Sequence, residues 1–389
     1  MKKSSRPKAT SASFVSEIFD LNVDRMAFGG SGVGRRADGK VVFVPFSAPG
    51  DHLKVRTTAD HKTYFEAEIV EILKPSESRT AARCEVFGKC GGCSWQHLKY
   101  SEQLNQKEQI VRQAFEKRQL KAKSWLPIVA CEQEFNYRNR IQLQIQSGKW
   151  GYFARKSHDF IAIEKCPIAE ENLNQFLKKP DKARDGRAEI SLNADLLAQF
   201  RYTEEDFGSH DFAQVNRFQN KKLILAVISH AKSIHPASLL DLYAGSGNFT
   251  FPLFEELRKT NFRAVELSPP AVQAAQARIL ENQISPKVFS FFCGDVEAFL
   301  VRQSLSSQEL VLLDPPRMGC SSNVIRNLAH QPIQQVIYIS CNPMTLVRDL
   351  ALWKTLNQRL QIQSVQAFDM FPQTDHVEVM VTLQIDTAT

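Results

Sequence analysis

Apolar positions change their period twice along the chain. From Phe14 to about Lys74, short runs rich in β-branched and aromatic residues (FVSEIFDLNV, KVVFVPF, DHLKVRTTA, YFEAEIVEIL) are separated by FGGSGVG, ADGK and SAPG. That rhythm predicts a small five-stranded barrel. In LNQKEQIVRQAFEK, Leu104, Ile110, Val111, Ala114 and Phe115 fall at helical spacing, which predicts a helix. RIQLQIQ, KWGYFA and FIAIEKC then alternate or run apolar like strands, before polar sequence near residues 181–186. From about Asp206 the strands SLLDLY, FRAVEL, ELVLLD and QVIYIS alternate with helical stretches such as AVQAAQARILENQ and NVIRNLAHQ. Strand–helix alternation predicts a parallel α/β sheet with binding loops at the carboxyl ends of its strands. The expected units are a tail over 1–12, a barrel over 13–75, a central region over 76–205 and an α/β unit over 206–389.

At 389 residues the chain is long enough for two or three domains. No apolar run approaches the roughly 20 residues of a membrane-spanning helix. The amino terminus carries Lys2, Lys3, Arg6 and Lys8 among Ser, Pro and Thr, with no apolar stretch after them. It is expected to be a disordered basic tail, neither a secretory signal nor an anchor, and a cytoplasmic address with no membrane contact follows. A net charge of +7 suits a polyanionic partner, and Arg35 and Arg36 beside the Gly-rich turn of the barrel are an expected contact for it. Eight cysteines without an export signal are expected to be reduced. Their clustering at 84–93 points to metal or catalysis before disulfides.

SLLDLY runs directly into Ala244-Gly245-Ser246-Gly247-Asn248, and FRAVEL ends in Glu266, about 20 residues beyond the first glycine, where a ribose-binding carboxylate belongs. The dinucleotide fingerprint requires a third glycine, and position 250 is Thr. A cofactor without a pyrophosphate fits better. Asp295 follows a third strand and is either an adenine contact or a turn aspartate. The fourth strand ends in Asp314-Pro315-Pro316-Arg317, a loop stiffened by its prolines. The fifth ends at Cys341, read either as a buried apolar thiol or as a nucleophile. Phe371-Pro372-Gln373-Thr374-Asp375-His376-Val377-Glu378 supplies a candidate base in Glu378, with His376 and Asp375 as alternatives or as groups that position it.

With these residues in hand, the chain resembles the RNA uracil-5-methyltransferases, in particular the bacterial 23S ribosomal RNA branch that carries a TRAM domain and an iron–sulfur cluster. The likeness covers nearly everything after the tail and rests on CGGCSWQHLKYSEQL, KCPI, FAQVN, DLYAGSGNFT, VELSPPAV, LLDPPRMG, ISCNP and FPQTDHVE, in that order. It implies a Rossmann-like class I methyltransferase domain of α/β class, preceded by an OB-like TRAM β-barrel and an iron–sulfur-containing α+β central domain. By the same resemblance Gln214, Tyr243, Asn248, Glu266, Asp295 and Asp314 line an S-adenosylmethionine site. Position 244 is Ala where relatives often carry Cys.

The resemblance also implies that Cys341 adds to C6 of uracil, that the methyl group goes to C5, and that Glu378 removes the C5 proton. Cys84, Cys90, Cys93 and Cys166 match the ligands of a [4Fe–4S] cluster, although four thiolates also suit a structural zinc. Cys131 is expected to be a core thiol. The expected partner is RNA, 23S ribosomal RNA before transfer RNA, with no obligate protein partner. An amino-group methyltransferase shares Asp-Pro-Pro but needs no thiol. A non-catalytic RNA-binding iron–sulfur protein would need neither Cys341 nor Glu378.

Overall fold

The computed structural model of the protein describes residues 16–155, 157–178, 184–193, 195–203 and 214–386. The expected tail over 1–12 and the expected boundary at residue 206 lie outside the described residues. Strands β1 (Ile18–Met26), β2 (Ser31–Arg35), β3 (Val41–Pro45), β4 (His52–Asp60) and β5 (Tyr64–Lys74) close into a barrel in the order β1-β2-β3-β5-β4. Alternate residues point inward, so Leu21, Val23, Val42, Val44, Leu53, Val55, Phe65 and Ala67 form a small core of their own. Of the two arginines beside the Gly-rich turn, Arg36 pairs with Glu17 and Asp38 and its guanidinium stands 4.5 Å from the centre of the Phe65 ring. Its charge is taken up by the barrel.

Helix α1 (Tyr100–Lys117) and strand β6 (Ala122–Val129) follow. An antiparallel sheet of β7 (Arg140–Gln146), β8 (Lys149–Phe153), β9 (Phe160–Ala162), β10 (Gly186–Leu192) and β11 (Ala198–Tyr202) comes next, in the order β11-β10-β7-β8-β9. Helix α2 (Glu171–Leu177) packs on it through Leu173 and Leu177.

The largest unit is an eight-stranded sheet, ordered β14-β13-β12-β15-β16-β18-β17-β6. Its strands β12 (Ser238–Leu242), β13 (Asn261–Glu266), β14 (Phe289–Cys293), β15 (Glu309–Leu313) and β16 (Gln335–Ser340) are parallel. Strand β18 (Glu378–Ile385) runs antiparallel between β16 and β17 (Leu360–Phe368). Helices cover both faces, which is why β15 is buried at every position. Leu310 and Leu312 face the layer of α3 (Arg217–Ile234), α4 (Thr250–Glu256) and α5 (Pro269–Glu281). Val311 and Leu313 face α1, α6 (Val296–Val301), α7 (Ser322–His330) and α8 (Pro343–Leu356).

One feature departs from the sequence reading. Residues 76–205 are not one unit in space, because β6 pairs in parallel with β17 at the edge of the large sheet and α1 joins its helical layer. The run SWLPIV contains Pro127, which is tolerated there because the edge strand has a free side.

Candidate active site

The carboxyl ends of the parallel strands and the start of the antiparallel β18 lie on one edge of the sheet, where doubly wound folds bind ligands. At the end of β12 the chain turns sharply, with Tyr243 at φ 68°, Gly245 at 57° and Gly247 at 91°. A Cβ at position 247 would stand 2.5 Å from the Phe251 ring, so both space and backbone angle require glycine. Glu266, at the end of β13, closes the turn by accepting from the amides of Gly245 at 2.9 Å and Ser268 at 2.7 Å. Asn248 exchanges two amide hydrogen bonds with Asn220 of α3, a partner that no motif singled out.

Thr250, the residue that breaks the dinucleotide fingerprint, donates its hydroxyl to the buried carboxylate of Asp241. The other oxygen of Asp241 is buried without a partner. Burial, with Glu266 nearby, pushes the Asp241 pKa up to about 7. Asp314, beyond β15, is raised to about 8 by burial and by Asp241, although it keeps part of its surface open. Two carboxyls held short of full ionisation, one with an unpartnered oxygen, suit a ligand that carries positive charge.

Asp295 follows β14 and caps α6, accepting from the amide of Ala298 at 2.9 Å with one oxygen. Gln214 lies two residues before Asn216, the N-cap of α3, and its carbonyl accepts from the Asn139 side chain at 3.3 Å.

Cys341 and Glu378 are brought together by strand register. In the antiparallel pair β16·β18, Ser340 is opposite Val379, so the next residue along each strand sets Cys341 opposite Glu378. Glu378 is 3% exposed and Cys341 is half-buried. Burial, reinforced by Asp314, holds the Glu378 carboxyl well above its ordinary range, and Arg317 opposes the shift. The Cys341 thiol is pushed up to about 12 by burial and by Glu378, again with Arg317 acting the other way. The backbone of Arg317 is fixed in turn, its carbonyl accepting from Asn342 and Thr345, each at 3.2 Å. A thiol, a carboxyl that can exchange its proton, and one guanidinium therefore stand beside the strand-end acids.

The model of the tRNA (uracil-5-)-methyltransferase family matches residues 190–386, half of the chain. The chain belongs to the tRNA (uracil-5-)-methyltransferase family. A TRAM domain model matches residues 12–70. An uncharacterized RNA methyltransferase of Bdellovibrio bacteriovorus is 37% identical over the whole of both chains. Another from Thermosynechococcus vestitus is 29% identical over 94% of this chain and 97% of its own. In fold the chain is similar to the tRNA (uracil-54, C5)-methyltransferase of Pyrococcus abyssi, solved with S-adenosyl-L-homocysteine. That likeness has a TM-score of 0.70 and 22% identity, over 93% of this chain and 99% of that one. The chain is thus an RNA methyltransferase with an amino-terminal TRAM barrel.

In this methyltransferase the loop between β17 and β18, residues 369–377, is held largely from outside its own sheet. The buried Lys107 donates to the Asp369 carboxylate and to the Phe371 carbonyl. Asn216 donates to the carbonyl of Met370 at 3.0 Å, and Tyr137 to that of Pro372 at 2.9 Å. Gln103 accepts from the Gln373 amide at 2.8 Å and donates to its side chain at 3.0 Å. Lys107 and Gln103 sit on α1 among its apolar positions, and the sequence reading passed over both.

Cys84, Cys90, Cys93 and Cys166 border one cavity, closed on other sides by Phe87, Tyr152 and Ile163. All four are free thiols. Asn174 of α2 fixes the backbone of Cys166 through both its amide and its carbonyl. Burial raises the pKa of Cys84, Cys90 and Cys93, and each of them would be raised further by charge on Cys166. Such a set needs a cationic centre to be anionic. Among the described residues no three Cys, His, Asp or Glu side chains close on a single metal ion. Cys131 is buried and its sulfur accepts from the Asn216 amide at 3.3 Å, a core position.

Proposed function

We propose that this methyltransferase methylates C5 of a uridine in RNA, with Cys341 as covalent nucleophile and Glu378 as base. The observation that carries this reading is that the β16·β18 register, ending at Ser340 opposite Val379, brings the next residue of each chain segment, Cys341 and Glu378, together at the ligand-binding edge of the sheet, where the charge of Glu378 acts on the Cys341 thiol. C5 of uracil is a weak nucleophile until a group adds at C6 and pushes electron density onto C5, and a thiolate suits that addition. In the proposed sequence Cys341 gives its proton to solvent as its sulfur bonds to C6. When bound, S-adenosylmethionine supplies the methyl group to C5 and leaves as a neutral thioether, so one proton is released per turnover. Glu378 takes the proton from C5. The C6–S bond then breaks and returns the electron pair to Cys341. Arg317 is the positive charge that eases ionisation of both groups.

The donor fits the other strand ends. Asp241 and Asp314 supply buried carboxyls toward a cationic ligand, and Glu266 has lone pairs left for ribose hydroxyls. Tyr243, Asn248, Asp295 and Gln214 complete the proposed binding set. Asp295 has one oxygen committed to its helix cap and the other to spare.

For Cys84, Cys90, Cys93 and Cys166 we propose a [4Fe–4S] cluster. The four cysteines line one cavity, and with a single C-x2-C pair they lack the paired knuckles usual for a structural zinc. Its role would be structural. Anaerobically prepared protein is expected to hold about four irons per chain, and stoichiometric zinc without iron overturns the assignment.

For the substrate, 23S ribosomal RNA is supported by the combination of a barrel and four cysteines, as in the branch the sequence resembles. Transfer RNA is the second reading, favoured by the family description and by the Pyrococcus neighbour. Mapping 5-methyluridine in both RNAs, from cells with and without the gene, separates them. The mechanism is tested by two variants. Cys341→Ala should abolish turnover and every covalent protein–RNA adduct. Glu378→Gln should trap a methylated adduct that survives denaturing electrophoresis. A Gln variant that binds donor normally yet forms no adduct removes Glu378 from the role of base.

A further inference from the structure

The loop that carries Glu378 meets two other chain segments at Asp375. This carboxylate is 8% exposed. One oxygen accepts from the amide of Gly29, in the Gly-rich turn of the barrel, at 2.9 Å. The other accepts from the Ser94 hydroxyl at 2.9 Å, and the Ser94 oxygen in turn accepts from the Asp375 amide at 3.1 Å. Two residues earlier, Gln373 sits in the left-handed region at φ 68°. Its carbonyl accepts from the amides of Ser94 at 3.2 Å and Trp95 at 3.0 Å. A non-glycine residue keeps that conformation only when its surroundings impose it.

The barrel closes the same joint. Trp95 is fully buried and its indole donates to the Gly30 carbonyl at 3.1 Å. A Cβ on Gly30, which has φ +86°, would stand 2.9 Å from the Ser94 Cβ and 3.1 Å from an Asp375 oxygen. The Gly-rich turn is therefore an internal joint packed against the catalytic unit. Gly30 is needed there for close approach to Ser94 and Asp375.

We propose that Asp375 is a positioning residue of the methyl-transfer reaction. Held by the barrel amide and by Ser94, it fixes the path of the next three residues and so the placement of Glu378 against Cys341. Both carboxylate oxygens are committed to this joint, so Asp375 is not a base in reserve. The inference rests on the reading of Glu378 given above. It makes proton removal at C5 depend on the barrel turn and on the segment of Ser94, which carry none of the proposed donor-binding or catalytic residues. A displacement of the base by a fraction of an ångström is costly, because proton transfer needs hydrogen-bond geometry.

The test is steady-state methylation of an RNA substrate by the full chain, with kcat expressed per adduct-forming site. Asp375→Ala should lower kcat by about tenfold or more and leave KM for S-adenosylmethionine within about twofold of its starting value. Asp375→Asn keeps the shape and the acceptor for Gly29 and should recover most of the loss. Ser94→Ala should reproduce part of it. A merely structural role would lower the number of adduct-forming sites and leave kcat per site unchanged, which overturns the proposal. Asp375→Ala should also accumulate some methylated adduct, less than Glu378→Gln does, because elimination is slowed, and a lowered kcat per site with no such adduct overturns the proposal. A parent enzyme that makes no 5-methyluridine overturns the reading of the site and this inference with it. Methylation by the parent, with an unchanged kcat per site in Asp375→Ala, overturns the inference alone.

Discussion

The strand-end turns proposed to bind the donor and the loop proposed to carry the base serve one reaction, but they are assembled in opposite ways. The donor turn is local. Gly245 and Glu266 are 21 residues apart, Asn220 and Asn248 are 28, and Asp241 and Thr250 are 9. Ties to the loop at 369–377 span 262 residues for Lys107, 270 for Gln103 and 346 for Gly29. The turns proposed to bind the donor are therefore tied within the parallel sheet and its own helices, whereas the loop has its shape only when α1, the cysteine segment and the barrel have all docked. Nine residues of irregular backbone must place their polar groups somewhere, and here they place them on other parts of the chain.

The comparison breaks first at Lys107. Its ammonium and the Asp369 carboxylate are both 0% exposed, and the second oxygen of Asp369 has no partner. Lys107→Met should leave that carboxylate buried and uncompensated, at a cost of about 3–5 kcal/mol in denaturant unfolding. Pairing it with Asp369→Leu should return much of the loss, since no lone charge remains. A single variant as stable as the parent would mean that the loop does not depend on the Lys107–Asp369 pair.

A smaller effect belongs to the donor site and has its sign set by the raised carboxyls. Asp241 and Asp314 have folded pKa values of about 7 and about 8, against an ordinary value of 3.8. Their contribution to the stability of the ligand-free fold is complete below the ordinary value and is lost as pH rises through about 7 and 8. A cationic donor favours the ionised forms. Its affinity should then rise from pH 6 to pH 8, by about tenfold, with release of protons on binding. Calorimetry in buffers of different ionisation enthalpy measures both. An affinity that stays flat or falls over this range would separate the two acids from the donor.

Legibility in the sequence follows the same division. Spacing alone put Glu266 at the strand end after the Gly-rich turn, and the fold places it there, bonded to Gly245. The five barrel strands and the parallel strands were also readable, because each announces itself by period and by its turn residues. Strand β6 was not, because SWLPIV contains a proline and its partner β17 lies more than two hundred residues away in the chain. Gln103 and Lys107 were passed over because a polar residue within a helical apolar pattern reads as solvated unless its partner is known. The Gly-rich turn near Arg35 and Arg36 was read as an external basic loop, yet Gly30 is packed against Ser94 and Asp375.

The order of motifs in the sequence sufficed for the family, and hydrophobic period sufficed for the layers. Both are properties of neighbouring residues, fixed by rotamers, turns and alternation before any distant contact forms. Tertiary structure alone decided that Cys341 stands opposite Glu378, since this depends on the register of two strands separated by a helix and a third strand. It alone decided that Asp375 faces the barrel while Glu378, three residues on, opposes Cys341. A side chain's direction on an irregular loop is set by the groups that satisfy its backbone, and here those groups come from residues 29, 94, 103, 107, 137 and 216.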